Sequence, residues 1–449
     1  MKNLGLRSLV QNTGGTLVRQ FASLVFNIVI SILMARSLGP NGNGQYVLVL
    51  LLPTMLTTFL NFGISPAIVY HLGSNAVSIK NAVRTLFKFW IVISLLGLAI
   101  GCVVVYFWGD QFLPGVPPSL LAIGLLIYPI ALLQTFLLSL LQGKQDFRSY
   151  NLAVIVSPVI TLTLAIPFVL FFHWGAIGAI TAYTFGQITG IITIWRAVSR
   201  NIANDHSHGE TGNFARQLLG YGWRSHLGNI VGFLNYRVDT ILLNYFLAPA
   251  ATGIYVVAVQ IAEQLWMLSN AVSTVLLPRL SELENEEEKR RILTPFVNRW
   301  VLLVSLVGAL LLAILAKPLI NIFLGSDYAP AAIALIWLLP GVVFLTFSRI
   351  LANDIAARGR PEFNTYTAII AVVLNVFFNL LLIPVMGING SALASTISYT
   401  INSIMKLIVY VRLSGNPWYS VIIINSRDLA LLRDVMTRLR DNIRNRYMQ

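Results

Sequence analysis

The sequence predicts an all-α, polytopic membrane protein with twelve transmembrane helices in two parallel six-helix repeats around a central cavity. Composition is the first observation that indicates this class. Of the 449 residues, 56% are hydrophobic and 11% are charged, and the mean hydropathy is +0.75. Too few polar residues are present to cover a soluble protein of this size. The bilayer is therefore the expected solvent of most side chains.

Segment length is the second observation, because a helix needs about 20 mainly apolar residues to cross about 30 Å of hydrocarbon. Twelve stretches of the chain meet or nearly meet that length. In chain order, the predicted transmembrane helices are 12–35, 46–69, 89–108, 119–141, 150–172, 175–195, 218–247, 251–277, 300–316, 331–357, 365–385 and 389–405. The first is too long for the apolar core of a cleavable signal sequence, so we interpret it as a retained helix.

The placement of lysine and arginine is the third observation, because basic residues in short loops stay on the cytoplasmic side during insertion. Of the 31 basic residues, 25 fall on one side of the twelve segments and four fall inside them, whereas only Arg36 and Lys317 fall on the other side. We therefore expect a multi-pass protein of the cell (inner or plasma) membrane with both termini in the cytoplasm. Loops that face anionic membrane lipid then explain the net charge of +14, which does not indicate a nucleic-acid partner.

Three pairs of matching segments indicate that the two halves of the chain are repeats. The pairs occur in the same order in both halves, beside corresponding helices. Because six is an even number, the repeats have the same orientation in the membrane, an arrangement known from transporters. The pairs are LGPNGNGQYV from Leu38 with LAPAATGIYV from Leu247, GKQDFRSY from Gly143 with GRPEFNTY from Gly359, and GAIGA from Gly175 with GINGS from Gly387.

These repeats define the predicted domains. The domains are an N-terminal six-helix lobe at 1–199, a cytoplasmic linker at 200–216, a C-terminal six-helix lobe at 217–412 and a cytoplasmic tail at 413–449. The tail is basic and amphipathic, so we expect it to lie on anionic lipid.

Polar residues recur at three- and four-residue spacing on one face of predicted helices 1, 2, 7 and 8. Ionisable groups at bilayer depth usually face a protein interior or an aqueous cavity, so we expect these helices to line a cleft. Arginine suits phosphate oxygens, which favours an anionic headgroup as the guest. The candidate substrate-cavity residues are Arg19, Asn27, Asn61, Arg224, Arg237, Asp239, Gln260, Asn270 and Arg349. Glu263 is the candidate coupling group, because it could change protonation as the cavity opens.

Structural alternatives remain open at these positions. Small polar side chains can join helices by hydrogen bonds, and Arg349 can reach the cytoplasmic headgroups from a helix end. No metal ion or cofactor is predicted, because His206 and His208 lack further ligands nearby and the sequence has no Walker-type phosphate loop.

Three motifs carry a family resemblance that covers nearly the whole chain. They are ARSLGPNGNGQY from Ala35, YRVDTILLNYFLAPAATGIYVVA from Tyr236 and GINGSALAST from Gly387. The chain resembles the lipid-linked oligosaccharide flippases, which are the polysaccharide-exporting branch of the multidrug/oligosaccharidyl-lipid/polysaccharide exporter superfamily. Asp239 occupies an acidic position typical of that family.

The resemblance implies two six-helix lobes around a central cavity. It also implies movement of a polyprenyl-pyrophosphate-linked oligosaccharide from the cytoplasmic to the outer leaflet by alternating access, with glycan polymerase or glycosyltransferase partners. The alternative is an ion-coupled multidrug or metabolite antiporter of the same superfamily, although four arginines disfavour a cationic drug. An enzyme that acts on the same lipid is disfavoured, because the predicted external loops are short.

Overall fold

The computed structural model describes the backbone of residues 2–74, 76–203, 205, 214–283 and 286–424, and side chains from residue 22 except at 224, 225 and 268. Every regular element within these residues is helical, which confirms the all-α class. Helices α1 to α14 are, in chain order, Lys2–Leu60, Ile64–Gly73, Ile79–Phe112, Pro118–Gly143, Phe147–Ala165, Gly175–Ala203, Phe214–Leu247, Pro249–Glu263, Trp266–Glu282, Glu287–Phe323, Pro330–Ala357, Glu362–Met386, Ile388–Ser414 and Trp418–Ile422. A π-helical turn at Ile166–Phe171 extends α5, and a short 3-10 turn lies at Ser326–Tyr328.

Nine helices in the described part of the chain have the length and hydropathy needed to cross a membrane. Each of the twelve predicted segments is mainly helical, and the multi-pass membrane class is confirmed. The count of twelve stays a prediction, because three regions differ from the expected pattern. The first two segments join in α1, the polar α7 is not among the nine, and the eighth segment is divided into α8 and α9 at Gln264 and Leu265.

The junction inside α1 replaces a loop that the sequence predicts at residues 36–45. Gly39 alone is non-helical there, with φ 65° and ψ 177°, and Pro40 follows it. Glycine adopts a positive φ without a Cβ penalty, and a proline at the start of a helix lacks an N–H group that would be unpaired in any case. The change of direction between the two helical segments is therefore confined to one residue.

Packing divides the chain into two compact units. Unit 1 contains the described residues of Met1–Gln260, Ala316–Leu335 and Asn375–Ala394, and unit 2 contains those of Ile261–Leu315, Ile336–Leu374 and Ser395–Gln449. The predicted lobes follow the sequence repeat rather than this division, and they stay a prediction. The predicted tail from residue 425 onward and most of the predicted linker lie outside the described residues.

The core of unit 1 is apolar and close-packed. Tyr128 on α4 is fully buried, and its hydroxyl donates to the Ile93 carbonyl on α3 at 3.1 Å. Large apolar side chains also lie on the outside of the helices, for example Leu95 and Val385, which are 64% and 80% exposed. This outward apolar surface is what a lipid solvent requires, because hydrocarbon accepts such side chains at no cost.

Candidate functional site

The predicted site residues fall into two sets, one in each unit. The backbones of Arg19 and Arg224 belong to α1 and α7, but their side chains lie outside the described residues. Unit 1 holds Asn27, Asn61, Arg237, Asp239 and Gln260, and unit 2 holds Glu263, Asn270 and Arg349. The role of both sets in a substrate cavity stays a prediction.

Asp239 is a buried carboxylate that joins α7 to α8. Its Oδ2 accepts a hydrogen bond from the Tyr255 hydroxyl at 2.7 Å, and its Oδ1 accepts from the Thr240 N–H at 2.7 Å and from the Thr240 hydroxyl at 3.3 Å. Asp239 is 4% exposed and Tyr255 is fully buried. A buried carboxylate is costly unless hydrogen-bonded, and these donors meet that need. The geometry favours the structural alternative for Asp239.

Asn61 also has a structural arrangement, because it lies two residues before Gly63, the N-cap residue of α2. Its Oδ1 accepts from the Ser65 N–H at 3.2 Å, and its Nδ2 donates to the Ser65 hydroxyl at 3.1 Å. Such a side chain satisfies backbone groups that the first turn of a helix leaves unpaired. The polar spacing in helix 2 therefore has a local explanation at this position.

A polar face remains in unit 1 where α1, α7 and α8 meet. The Ser31 hydroxyl on α1 donates to Gln260 Oε1 on α8. Asn27 lies one turn before Ser31 and is exposed, and Arg237 on α7 is half-buried. These side chains are accessible and polar within an apolar protein, as a binding surface requires.

The two copies of the first repeat motif contact each other, and we name this contact the outer junction. It is formed by Pro40, Asn43 and Gly44 of α1 with Pro249 and Gly253 of α8. A Cβ built on Gly44 would lie 2.5 Å from the Pro249 carbonyl carbon, and one on Gly253 would lie 2.8 Å from the Gly44 nitrogen and clash with the Pro40 carbonyl. Asn43 Nδ2 donates to the Gly253 carbonyl at 3.4 Å. The segments approach so closely because neither carries a Cβ at the crossing point.

The outer junction is reciprocal. Pro40 and Pro249 occupy matching positions in the two copies of the motif, and so do Gly44 and Gly253, at the offset of 209 residues. Each glycine meets the proline of the other copy. Two segments related by a local two-fold axis make such a contact, and this observation supports the predicted parallel repeat.

A second close approach, which we name the inner junction, joins Phe62 and Gly63 to Gly222 and His226 of α7. A Cβ on Gly222 would lie 2.6 Å from the Phe62 carbonyl oxygen. The rings of Phe62 and His226 have centroids 5.5 Å apart. Gly63 has φ 69° and begins α2, so glycine is favoured there on conformational grounds as well. The polar face of unit 1 lies between the two junctions along α7 and α8.

In unit 2, Arg349 is held by its neighbours. Its guanidinium donates to Asn270 Oδ1 and lies 5.1 Å from the centre of the Trp266 ring. Lys406 of α13 is close enough for the two positive charges to repel each other. A cation over an aromatic ring beside a second cation provides the charge and the flat surface that an anionic ligand with sugar groups would use.

Sequence reasoning missed Lys406, because the last predicted helix ends at residue 405 whereas α13 continues to Ser414. The polar spacing of Tyr399, Asn402 and Lys406 on one helix face was the available signal. Among the described residues, no three metal-ligating side chains come together. His206 and His208 lie outside those residues, so the expected lack of a metal site stays a prediction.

Apolar helices of membrane-spanning length that also bury amide and charged side chains define a multi-pass membrane protein. The chain belongs to the polysaccharide biosynthesis protein family, whose match covers residues 33–333.

Three comparisons show how far the likeness extends. The chain is 26% identical over 193 residues to a probable low-salt glycan biosynthesis flippase, Agl15, of Haloferax volcanii, covering 42% of this chain and 41% of the relative. It is 21% identical over 401 residues to a putative O-antigen transporter of Shigella flexneri, covering 85% and 92%. It matches the solved fold of the lipid II flippase MurJ in an inward closed conformation with a TM-score of 0.71 and 17% identity, covering 87% and 86%. The chain thus spans about two fifths of the length of the first curated relative and most of the other two.

Proposed function

We propose that this protein is a flippase that moves a polyprenyl-pyrophosphate-linked oligosaccharide from the cytoplasmic to the outer leaflet by alternating access, for polysaccharide biosynthesis. Family membership and the transporter fold support this proposal. The sugar lipid is the substrate class most consistent with relatives named for glycan and O-antigen transport. Transport of this kind requires no catalytic residue in the chain.

The observation that carries the proposal is the pair of cations in unit 2. Arg349 is positioned by Asn270 and Trp266, and Lys406 of α13 is close enough for its positive charge to repel that of Arg349. Pyrophosphate offers several anionic oxygens, and an arginine fork and a lysine ammonium bind such oxygens by charge-assisted hydrogen bonds. Trp266 provides an aromatic face for the first sugar. The same two cations would repel the cationic drugs that the antiporter alternative would carry.

The proposed location is the inner or plasma membrane, with both termini in the cytoplasm. Apart from Lys406, 24 basic residues lie on one side of the predicted spans and two lie on the other, which supports this orientation. In such a membrane the protein would receive its substrate from glycosyltransferases and deliver it to a glycan polymerase, and its cytoplasmic loops would face anionic lipid.

Transport of a fluorescent polyprenyl-pyrophosphate oligosaccharide in proteoliposomes tests the proposal. A membrane-impermeant quencher reports the fraction of substrate that has reached the outer leaflet. We expect Arg349→Gln and Lys406→Gln each to lower the initial transport rate about tenfold or more. This factor corresponds to the free energy lost with one charge-assisted hydrogen bond. Arg360→Gln is the matched control, because its side chain is 60% exposed and pairs with Glu362.

A second substrate with a neutral link between lipid and sugar separates a phosphate contact from general damage. The parent should prefer the pyrophosphate substrate, and both cavity variants should lose that preference. A parent that moves neither substrate, or variants that keep the parent's rate and preference, would refute the proposal.

Glu263 is our proposed coupling group. α8 ends at Glu263, where the two-residue break before α9 interrupts the helix, and the side chain is half-buried. A carboxyl at a helix break can meet water in one conformation and protein in another, so its protonation can follow the transport cycle. Glu263→Gln should flatten the pH dependence of transport in the same proteoliposomes, and an unchanged pH profile would exclude the role.

A further inference from the structure

A second group of arginines lies in unit 2, away from Arg349 and Lys406. Arg358 follows α11 nine residues after Arg349, which corresponds to about 13 Å of helix rise. Arg290 lies in the first turn of α10 and Arg299 lies nine residues further along the same helix, and they are 3% and 6% exposed. These three guanidinium groups belong to the end of unit 2 that the charge pattern assigns to the cytoplasm, and the proposed transport function does not use them.

Asp354 organises this end of the unit. Its Oδ2 accepts from the Thr294 hydroxyl of α10 at 2.5 Å, and its Oδ1 accepts from Arg358 Nε. Arg358 also contacts Glu287 Oε1 at 2.8 Å and donates to the Leu413 carbonyl of α13 at 3.4 Å. The start of α10 and the ends of α11 and α13 are therefore held together by one charged network.

Arg290 faces this network. It lies three residues after Glu287 and four before Thr294, and residues at these spacings share one face of a helix. Both neighbours on that face contact the Asp354 and Arg358 pair. Arg290 therefore lies on the face of α10 that packs against the end of α11.

Several nitrogens of the two arginines are buried without a hydrogen-bond acceptor among the described residues. They are Nε and Nη2 of Arg290 and Nη2 of Arg358. An arginine cannot escape this cost by losing its proton. Burial by itself would lower the pKa of Arg358, but the Asp354 and Glu287 carboxylates together outweigh burial and raise it, so the group stays charged.

The balance of charge also calls for an anion. Among the described residues of this network, Asp354 is the fully buried carboxylate and Glu287 is 46% exposed, whereas Arg290 and Arg358 are both largely buried. Buried cations in excess of buried anions are costly unless a further anion is bound. The start of α10 adds the partial positive charge of a helix N-terminus.

The surroundings place this network at the depth of lipid headgroups. Asn298 Nδ2 donates to the Val421 carbonyl at 3.2 Å, and Arg299 donates to the Ser420 carbonyl, so α14 is attached to α10. On α14, Trp418 and Tyr419 are 58% and 54% exposed. Exposed tryptophan and tyrosine beside apolar spans are typical of the membrane interface.

We propose that Arg290 and Arg358 form a binding site for a phosphate group, supplied either by an anionic lipid headgroup of the cytoplasmic leaflet or by a soluble phosphate compound. The phosphate oxygens accept hydrogen bonds from the three buried nitrogens and neutralise the excess charge. Binding stabilises the bridge between α10, α11 and α13.

Thermal unfolding of the purified full-length protein tests this site without any transport measurement. Inorganic phosphate is titrated in detergent, and nanodiscs of phosphatidylcholine alone are compared with nanodiscs that contain phosphatidylglycerol. The parent should be stabilised by at least one of these probes. Arg290→Gln should weaken that response about tenfold, the loss expected from one charge-assisted contact. Lys289→Gln, a neighbour whose side chain is 66% exposed, should respond as the parent does.

If inorganic phosphate stabilises the parent against unfolding, a soluble phosphate compound is enough to fill the site. If only phosphatidylglycerol stabilises it, the ligand is the lipid headgroup. Either result supports the site. A parent that responds to neither probe overturns it, and so does an equal response in Arg290→Gln. The unliganded proteins provide a further check, because removal of an unpaired buried charge should leave Arg290→Gln at least as stable as the parent in phosphate-free detergent. A clear loss of stability there would show that Arg290 already has its partner within the protein.

Discussion

Gly44→Ala should push the outer junction apart. The new methyl group would lie 2.5 Å from the Pro249 carbonyl carbon and closer still to its oxygen, whereas ordinary contact begins at 3.4 Å. The two backbones must therefore separate by about 0.9 Å or more. Neither partner can yield by rotating a side chain, because the atoms that clash belong to the main chain.

The expected energetic effect is that of overpacking, about 1–3 kcal/mol. This penalty applies only to conformations in which the junction is closed. It should therefore shift the ratio of open to closed molecules by about 5- to 150-fold. Gly253→Ala should act in the same way, and the double variant should add less than the sum, because the first methyl group has already separated the segments.

Spin-label distance measurements can follow this opening. Cys102 is the sole cysteine, so Cys102→Ala provides a background for labels at Asn41→Cys and Ala250→Cys, which occupy matching positions in the two copies of the motif. Gly44→Ala should add a longer distance population. Gly42→Ala is the control, because its methyl group meets only the Leu38 side chain one turn earlier on the same segment.

A folded Gly44→Ala protein that shows the parent's distance distribution would refute a steric contact at the outer junction. An equal increase in distance in Gly42→Ala would refute it too, since the effect would then come from the segment itself rather than from its contact with α8.

Two further variants test other contacts. Gly222→Ala should open the inner junction, because its methyl group would lie 2.6 Å from a backbone carbonyl oxygen, whereas Gly220→Ala has free space and should not. In the Cys102→Ala background, an impermeant thiol reagent that labels a cysteine introduced at the predicted cytoplasmic end distinguishes the two variants. Tyr255→Phe removes the donor to Asp239 and should cost about 1.5–3 kcal/mol, seen as a lower midpoint of thermal unfolding. Tyr46→Phe is the control at the matching repeat position, because the titratable neighbour of the Tyr46 hydroxyl is another tyrosine and not a carboxylate. Its loss of unfolding free energy should be smaller. Equal losses in both variants would contradict the role assigned to the Asp239 carboxylate.

The membrane class and the positions of the helices could be predicted because they depend on local properties. Apolar length defines a span and basic residues orient it, and both are visible without knowledge of any contact. The repeat motif at Leu38 and Leu247 was also visible, but its role as a contact surface was not. Whether two matching segments touch each other depends on tertiary packing, which no spacing along the chain encodes.

The site could be predicted only in part, because polar spacing does not separate binding from capping. Asn61 and Asp239 have the spacing of cavity residues, yet the first caps α2 and the second joins two helices. Arg349 was visible as an intramembrane charge, whereas Lys406 was hidden by a helix end placed too early. Arg290 has the appearance of a solvated loop residue, since nothing in its sequence neighbourhood shows that α10 buries it.

The reciprocal meeting of proline and glycine has a consequence for the origin of the chain. In a symmetric homodimer, both subunits use the same surface patch. If a first residue of one subunit contacts a second residue of its partner, the second residue of that subunit also contacts the first residue of the partner. The contact of Gly44 with Pro249 and of Gly253 with Pro40 has this isologous form inside a single polypeptide. An ancestor half as long, with only one copy of the motif, would already have possessed a self-complementary surface for pairing, and gene fusion would have made that partnership permanent.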